Sequence, residues 1–400
     1  MILVINSGSS SIKFELFESE TLDVIAAGVV ERIGEGQARL HYRHRAGDGF
    51  DEQSDDDMDI PDHDAGLREI VRRLSTYTGA SGEKLRGIGH RVVHGGERYK
   101  AAVLIDDEVI ETIRALIPLA PLHNPANLRG MEVARQCFGH VPQAALFDTS
   151  FHHTLPEHAY RYALPAQCYE QHQVRRYGFH GISHHYVAKQ AAALLDMPLQ
   201  RLNLITLHLG NGASAAAIKQ GRCIDTSMGM TPLEGLMMGS RCGDLDPAVP
   251  LYLAKAMNKS DDEIDQLLNE QSGLLGVCGV NDMREVQRRI GKGDADAQRA
   301  LEMYCYRIRK YIGAYYAVLG RLDALVFTAG IGEHDAEVRW RSCAGLEALG
   351  IAVDPRRNDA GSGALTEIQR ADAAVKVLVV PTDEEREIAR QTLTLINESA

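Results

Sequence analysis

The opening seventeen positions alternate apolar runs with a short polar break. Ile2-Leu3-Val4-Ile5 is an apolar run with strand character. Asn6-Ser7-Gly8-Ser9-Ser10-Ser11 interrupts it. Ile12-Lys13-Phe14-Glu15-Leu16-Phe17 then resumes with apolar and polar positions in turn, which predicts strand, turn, strand. The same reading places strands near 2–6, 12–17, 24–30, 85–93, 144–148, 203–209, 214–218, 323–329 and 375–380. It places helices near 65–78, 107–117, 125–137, 184–195, 247–257, 261–271, 295–320, 335–349 and 384–397. Asn124-Pro125 and Asp246-Pro247 each put a cap before a proline at the first helical position, and Ser260 with Glu263 spells a capping box. The alternation predicts α/β layering. Residues 34–64, with four glycines and the run Asp55-Asp56-Asp57, are expected to form an exposed, partly hairpin insertion whose acids are solvated.

The hairpin unit recurs. Leu204–Leu209 leads through Gly210-Asn211-Gly212 into a strand ending at Ile218-Lys219. A third strand, Ala324–Ala329, runs into Gly330-Ile331-Gly332-Glu333 and opens a helix whose amides suit an anion. Four hundred residues exceed one ordinary core. The echo therefore predicts a duplicated α/β domain with a site between the halves.

A net charge of −12 argues against a nucleic-acid or anionic-membrane partner, though not against an anionic ligand held by clustered Arg and Lys. Seven scattered cysteines, none in a Cys-x-x-Cys pair, fit a reducing cytoplasm and weigh against disulfides or zinc. No signal peptide and no run of eighteen apolar residues is read, so no membrane span is expected.

Candidate chemistry gathers at strand ends. The first turn offers amides and hydroxyls to a phosphate, Lys13 sits where its ammonium could reach the same anion, and Asn6 could hold a metal-bound water; a plain polar hairpin has the same spelling. Arg91 ends an apolar strand before Gly95-Gly96, a setting for bidentate capture of carboxylate or phosphate rather than a surface salt bridge. His123, in a tight turn before a helix, could donate to a phosphoryl oxygen or simply cap and pack. Asp148 follows the strand Ala144-Ala145-Leu146, pointing into a ligand crevice or capping a turn. Histidines 180, 184 and 185 lack a metal motif; Ser183 is expected as a helix N-cap, with His180 in the loop before it. Arg241 lies in a glycine-rich loop, Gly229 to Gly243, expected to be mobile and to carry a group that stabilises transferred charge. Asn281-Asp282-Met283-Arg284 opens a helix, as a nucleotide contact or an ordinary Asp cap. Glu384 and Glu385 open another, as water-mediated Mg²⁺ ligands or helix-start acids.

The segments Val4–Lys13 and Arg176–His184 resemble signatures of the acetate kinase family, and the other motifs follow in that family's order and spacing over nearly the whole chain. The resemblance implies two duplicated actin-like (ribonuclease H-like) α/β domains with a central interdomain cleft. One would be residues 1–150 with the helix 384–400 returning to it, the other a nucleotide-binding domain, 151–383. It also implies roles. Asn6 and Glu384 would serve Mg²⁺, with Mn²⁺ as a substitute. Lys13 would meet nucleotide phosphates. Arg91 would hold the acyl carboxylate and His123 contact the phosphoryl group. Asp148 matches the family's catalytic carboxylate, and His180 and Arg241 its transition-state stabilisers. Val93, Leu122, Phe179 and Pro232 match the acyl pocket. His208, Leu209, Gly210, Asn211 and Gly212, then Asp282, Met283 and Arg284, then Gly330, Ile331, Gly332, Glu333 and His334 match the ATP-contacting segments. This chain departs from the pattern at His334 and Asp383, where the family has Asn, and at Ile182, where it has Thr.

The activity so implied is reversible, direct in-line phosphoryl transfer from ATP to acetate, giving ADP and acetyl phosphate, in a cytoplasmic homodimer. A propionate or short-chain acyl kinase is the alternative. An ATPase of the same fold is a more distant one, opposed by Arg91 and the acyl pocket. A carboxylate is already nucleophilic at neutral pH, so the difficulty is anion meeting anion. Asp148 is thus as suited to orienting an arginine or a metal-bound water as to proton transfer.

Overall fold

β1 (Ile2–Ser7) is buried along almost its whole length because helices cover the sheet it joins on both faces. β2 (Ser11–Phe17) returns antiparallel, and the register sets Asn6 opposite Lys13. β3 (Val24–Glu31), β4 (Ala38–Ala46) and β5 (Gly49–Met58) continue the meander. On the other side of β1, β6 (Gly87–Val92) runs parallel to it. β7 (Val103–Leu104) is an antiparallel edge on β8 (Gln143–Phe147), itself parallel to β6. The sheet order is β5-β4-β3-β2-β1-β6-β8-β7.

The structure, a computed structural model, describes residues 1–47, 49–79, 82–361 and 363–399. Two compact units divide the chain: Met1–Ser150 with Asp383–Ala400, and Phe151–Thr382. In the first, helices His63–Thr78 and Asn124–Cys137 cover one face, packing Leu67, Ile70, Leu74 and Val133 onto Leu3, Ile5, Ile12 and Phe14. Helix Glu384–Ser399 lies along β6 on the other face. Gly89 makes this approach possible, since a Cβ there would stand 2.6 Å from Ile388 Cγ2 and 2.5 Å from Thr392 Oγ1. The insertion expected within 34–64 is the β4–β5 hairpin. Asp55 forms an ion pair with Arg73, and the side chain of Asp56 lies outside the described residues.

In the second unit, β9 (Asn203–Leu209), β10 (Ala213–Lys219) and β11 (Arg222–Thr226) form an antiparallel meander. β12 (Ala324–Thr328) is parallel to β9. β13 (Thr366–Glu367) is an antiparallel edge on β14 (Lys376–Val379), which is parallel to β12. The order β11-β10-β9-β12-β14-β13 repeats β3-β2-β1-β6-β8-β7 in sequence and direction. The sequence echo is therefore a duplicated topology, with the two glycine hairpins in different sheets. Helix Gly181–Leu194 covers one face, where Val187, Ala188 and Ala191 pack on Leu204, Ala216 and Ile218. Helix Ala295–Leu319 covers the other.

Several local expectations need correction. Asn124 is not an N-cap: the helix begins with it, and its amide side chain instead pairs with both backbone groups of His94, at 3.2 Å each. Nor is Ser183. The helix starts two residues earlier, with His180 at the cap in left-handed backbone, φ 55°. Pro247 itself is the cap residue of helix Ala248–Met257, although Asp246 does accept from Ala248 N. The capping box at Ser260 and Glu263 is present as read. No helix among the described residues is long and apolar enough to cross a membrane. All seven cysteines are free thiols.

Candidate functional site

In the first unit the predicted residues converge where β1, β6 and β8 end. Arg91, near the end of β6, donates from Nε and Nη2 to both oxygens of Asp148, at 3.1 and 2.7 Å, just past β8. A Glu384 oxygen lies 3.6 Å from Arg91 Nε. The arginine is thus held by carboxylates within a buried cluster, neither unpaired nor in a surface bridge. Burial opposes its charge, but the two acids raise its pKa above the ordinary value. Burial also pushes the Glu384 carboxyl up to about 7, which Arg91 only partly offsets while Asp148 adds to the rise. One cation among two carboxylates leaves room for more positive charge.

A residue absent from the sequence reading ties this corner together. Asn127 donates to Ser7 O at 2.6 Å and accepts from Val93 N at 3.0 Å, joining the first turn to the segment after β6. Its only sequence signal is a polar residue, like Asn124, at the spacing of the helix's buried positions. His123 occupies the cap position of that helix, half-buried, with no capping bond from its side chain. Val93 is half-buried, whereas Leu122 is 50% exposed.

Glu15 lines a cavity of ≈ 380 Å³ with Lys13, Arg43, Glu52 and Glu385. Burial first, then the Glu385 and Asp383 carboxylates, raise its pKa to about 8. Its folded pKa lies above the unfolded one, so the folded state holds a proton that the unfolded chain releases. Stability from this group therefore falls as pH climbs through the usual carboxylate range to about 8, then levels. Glu15→Gln is expected to remove that slope. Its Tm should match wild type near about pH 5 and exceed it near about pH 9. Thermal unfolding at both values checks this, and parallel losses in the two proteins would overturn it.

In the second unit, the face of β9 and β10 that is apolar at Leu204 and Ile218 turns polar toward the glycine turn. There His208 stands opposite Ser214. His180 Nδ1 and His184 Nε2 both reach Ser214 Oγ, and His184 Nδ1 reaches Thr206 Oγ1. The His180 and His208 rings stack at 4.1 Å. His208 Nδ1 meets Ser183 Oγ at 2.8 Å, which in turn meets Thr382 Oγ1. A Cβ on Gly212 would lie 3.4 Å from the His180 ring and 3.6 Å from Arg241 Nη1, so glycine keeps open the space next to these two side chains. Phe179 is buried, its carbonyl accepting from His152 Nε2; Pro232 is half-buried, its carbonyl 3.4 Å from Arg241 Nη1.

The loop carrying Arg241 is not the mobile segment expected. Met238 N and Cys242 N donate to Arg241 O and Leu268 O, and Ser272 N and Leu274 N donate back to Ser240 O and Met238 O. Leu236, Met237 and Met238 are buried. Its glycines serve close packing: Gly243, at φ 69°, sits where a Cβ would be 2.5 Å from two carbonyls. The Arg241 guanidinium has no carboxylate partner among the described residues, and burial lowers its pKa.

A cavity of ≈ 900 Å³ in this unit is lined by Gly210, Asn211, Asp282, Met283, Arg284, Gly330, Ile331 and His334 of the predicted nucleotide segments, with Gln287 and Glu337. Asp282 lines the cavity and also caps helix Met283–Ile290 through Arg284 N. His208, Leu209, Gly212, Gly332 and Glu333 do not line it. Glu333 turns inward to accept from Thr382 N at 3.0 Å. Ala329, which opens the short helix Ala329–His334, is left-handed at φ 63°, a strain no sequence signal announces. Behind it the fully buried Arg339 donates to the carbonyls of Gly332 and Glu333.

Among the described residues no three His, Cys, Asp or Glu side chains gather to hold a metal. An oxygen-seeking cation sharing phosphate and water ligands needs fewer. Asn6 and Glu384 supply oxygen donors at the end of the unit where Lys13 also lies, and the excess of carboxylate around Arg91 fits a cation there.

The chain matches the acetokinase family model over residues 1–390. It is 54% identical over 397 residues to an acetate kinase of Syntrophobacter fumaroxidans, covering 99% of this chain and 97% of that one. Among solved structures, a Porphyromonas gingivalis acetate kinase superposes with TM-score 0.92 at 43% identity, covering 98% of this chain and 99% of its own. A Francisella tularensis propionate kinase gives 0.91 at 40%, with the same coverage. Their shared architecture is the duplicated actin-like α/β fold expected from the motifs, and by model, identity and topology the chain belongs to the acetokinase family.

Proposed function

We propose that this chain is an acetate kinase, an ATP:acetate phosphotransferase that makes ADP and acetyl phosphate reversibly. The observation that carries the reading is the pair Arg241 and His180 on either side of Gly212, next to a cavity built from nucleotide-matching segments. An imidazole and a guanidinium bordering one space, the guanidinium with no carboxylate partner among the described residues, suit a transferring phosphoryl group. In this reading Arg91 holds the acetate carboxylate while Asp148 fixes the guanidinium plane. His123 meets the phosphoryl oxygens and Lys13 the nucleotide phosphates. Asn6 and Glu384 would hold Mg²⁺, or Mn²⁺ in its place, and the ion would neutralise charge on the phosphates. The segments His208–Gly212, Asp282–Arg284 and Gly330–His334 bind ATP. Residues 1–150 with the terminal helix form the N-terminal domain, and 151–383 the nucleotide-binding domain.

Trapping the product with hydroxylamine tests the activity. Hydroxamate should form only with ATP, divalent metal and acetate together, whereas ADP release at one rate with and without acetate would indicate an ATPase.

The propionate kinase of F. tularensis, so close in fold, keeps the roomier-pocket reading in view. Val93, Leu122, Phe179 and Pro232 form the acyl pocket in this proposal. Acetate should be preferred over propionate by at most roughly ten- to two-hundredfold, since one methylene is worth only ~1–3 kcal/mol. Val93→Ala should shift kcat/KM toward propionate. Equal values for both acids in wild type, or an unmoved ratio in the variant, would favour the broader acyl kinase.

The enzyme is assigned as a cytoplasmic homodimer. Leu251 and Tyr252, 68% and 70% exposed on helix Ala248–Met257, and Tyr306 on helix Ala295–Leu319, supply uncovered apolar area for a second copy. The apolar face of helix Glu384–Ser399 is occupied within its own unit by β6. Sedimentation of wild type against Leu251→Asp tests the assignment.

A further inference from the structure

Two imidazoles share one hydroxyl. Ser214 Oγ lies 2.9 Å from His180 Nδ1 and 2.8 Å from His184 Nε2. The other nitrogen of His184 lies 2.7 Å from Thr206 Oγ1. Thr206, His184 and Ser214 are fully buried. Burial, with His152 and His208 nearby, lowers the pKa of His184 well below the usual imidazole value, so its ring carries one proton.

A hydroxyl also has one proton, so the chain Thr206–His184–Ser214–His180 must be ordered in one direction or the other. In the first order, Thr206 O–H donates to His184 Nδ1 and His184 Nε2–H donates to Ser214 Oγ. Ser214 O–H then donates to His180 Nδ1, leaving the His180 proton on Nε2. In the reverse order, His180 Nδ1–H donates to Ser214, Ser214 to His184 Nε2, and His184 Nδ1–H to Thr206. The Thr206 hydroxyl proton then has no acceptor among the described residues. A buried donor left without an acceptor is costly, while an oxygen with a spare lone pair is not, so the first order prevails.

We infer that Thr206, His184 and Ser214 are positioning residues that hold His180 as its Nε2–H tautomer, a hydrogen-bond donor rather than a base. The inference rests on the reading that His180 meets the transferring phosphoryl group. The backbone supports it: His180 is fixed in left-handed geometry and its ring is stacked on His208, so Nε2 has a set direction. For phosphoryl transfer to a carboxylate, which needs no deprotonation, a fixed donor is the useful form.

The test uses the full-length enzyme with ¹⁵N-labelled histidine, with and without ADP and divalent metal. Long-range ¹H–¹⁵N correlation should give His180 a protonated Nε2 and an unprotonated Nδ1. Thr206→Val keeps the shape but removes the donor that orders the chain. It should populate the Nδ1–H form of His180 and lower kcat roughly five- to tenfold with KM for ATP and acetate nearly unchanged. Thr206→Ser should restore both readouts. If Thr206→Val does not fold, Ser214→Ala, which removes the hydroxyl donor to Nδ1, is read the same way. An Nδ1–H wild type, or a tautomer unmoved by these variants, overturns the inference. The expected spectrum together with full kcat in His180→Asn overturns instead the phosphoryl role assigned to His180.

Discussion

Replacing Arg241 with alanine is expected to lower kcat roughly 10³-fold or more while KM for acetate stays within about threefold, the pattern of an interaction made only in the transition state. Arg241 is half-buried, has no carboxylate partner among the described residues, and that burial lowers its pKa. Such a group pays its desolvation cost in advance and recovers it when negative charge builds beside it. The surrounding loop makes the placement rigid. Residues 238–242 are pinned by backbone hydrogen bonds to 268–274, so no reorganisation is needed when charge develops. The same features predict that Arg241→Ala leaves thermal stability unchanged or raises it, because an uncompensated half-buried charge is removed. Steady-state kinetics and a melting curve on one preparation decide the matter. A variant with intact kcat and a raised KM for acetate would move Arg241 to ground-state carboxylate binding.

The elements were largely legible because their causes are local. Apolar runs such as Ile2–Ile5 and Leu204–Leu209 are strands covered on both faces, and a glycine turn after each forces a hairpin. Edge strands β7 and β13, two residues long, carry too little pattern to register. Site residues at strand ends, Arg91 and Asp148, could be named from position, whereas His208 came from the family resemblance. Asn127 could not, since it meets Ser7 and Val93 across 120 and 34 residues of chain. Glycine content also misled. In Gly229–Gly243 it was read as freedom, yet glycine there lets backbones touch, which stiffens the loop. The left-handed residues His180 and Ala329 were invisible: alanine disfavours that conformation, and histidine, though it tolerates it better than most, adopts it too rarely to be read from sequence.

Arg91→Ala and Asp148→Asn should each cost activity by roughly 10²-fold or more, and the double variant should lose little beyond the worse single one. The two side chains form a bidentate pair in which Asp148 is only 2% exposed. If Asp148 acts by orienting the guanidinium, removing either partner forfeits the same interaction. Arg91→Ala should also raise KM for acetate, since the carboxylate loses its counter-ion in the ground state. It leaves Asp148 and Glu384 as neighbouring buried carboxylates, so stability should fall by about 3–5 kcal/mol. Asp148→Asn leaves Arg91 with Glu384 still 3.6 Å away and should cost less stability. The competing role, proton transfer by Asp148, makes a different prediction. Asp148→Asn would then abolish one limb of the pH–rate profile that Arg91→Ala keeps, and the losses would add. Because acetate is already ionised at neutral pH, there is no proton for Asp148 to take. The non-additive result with an unchanged profile is expected, and additive losses would return Asp148 to the chemistry itself.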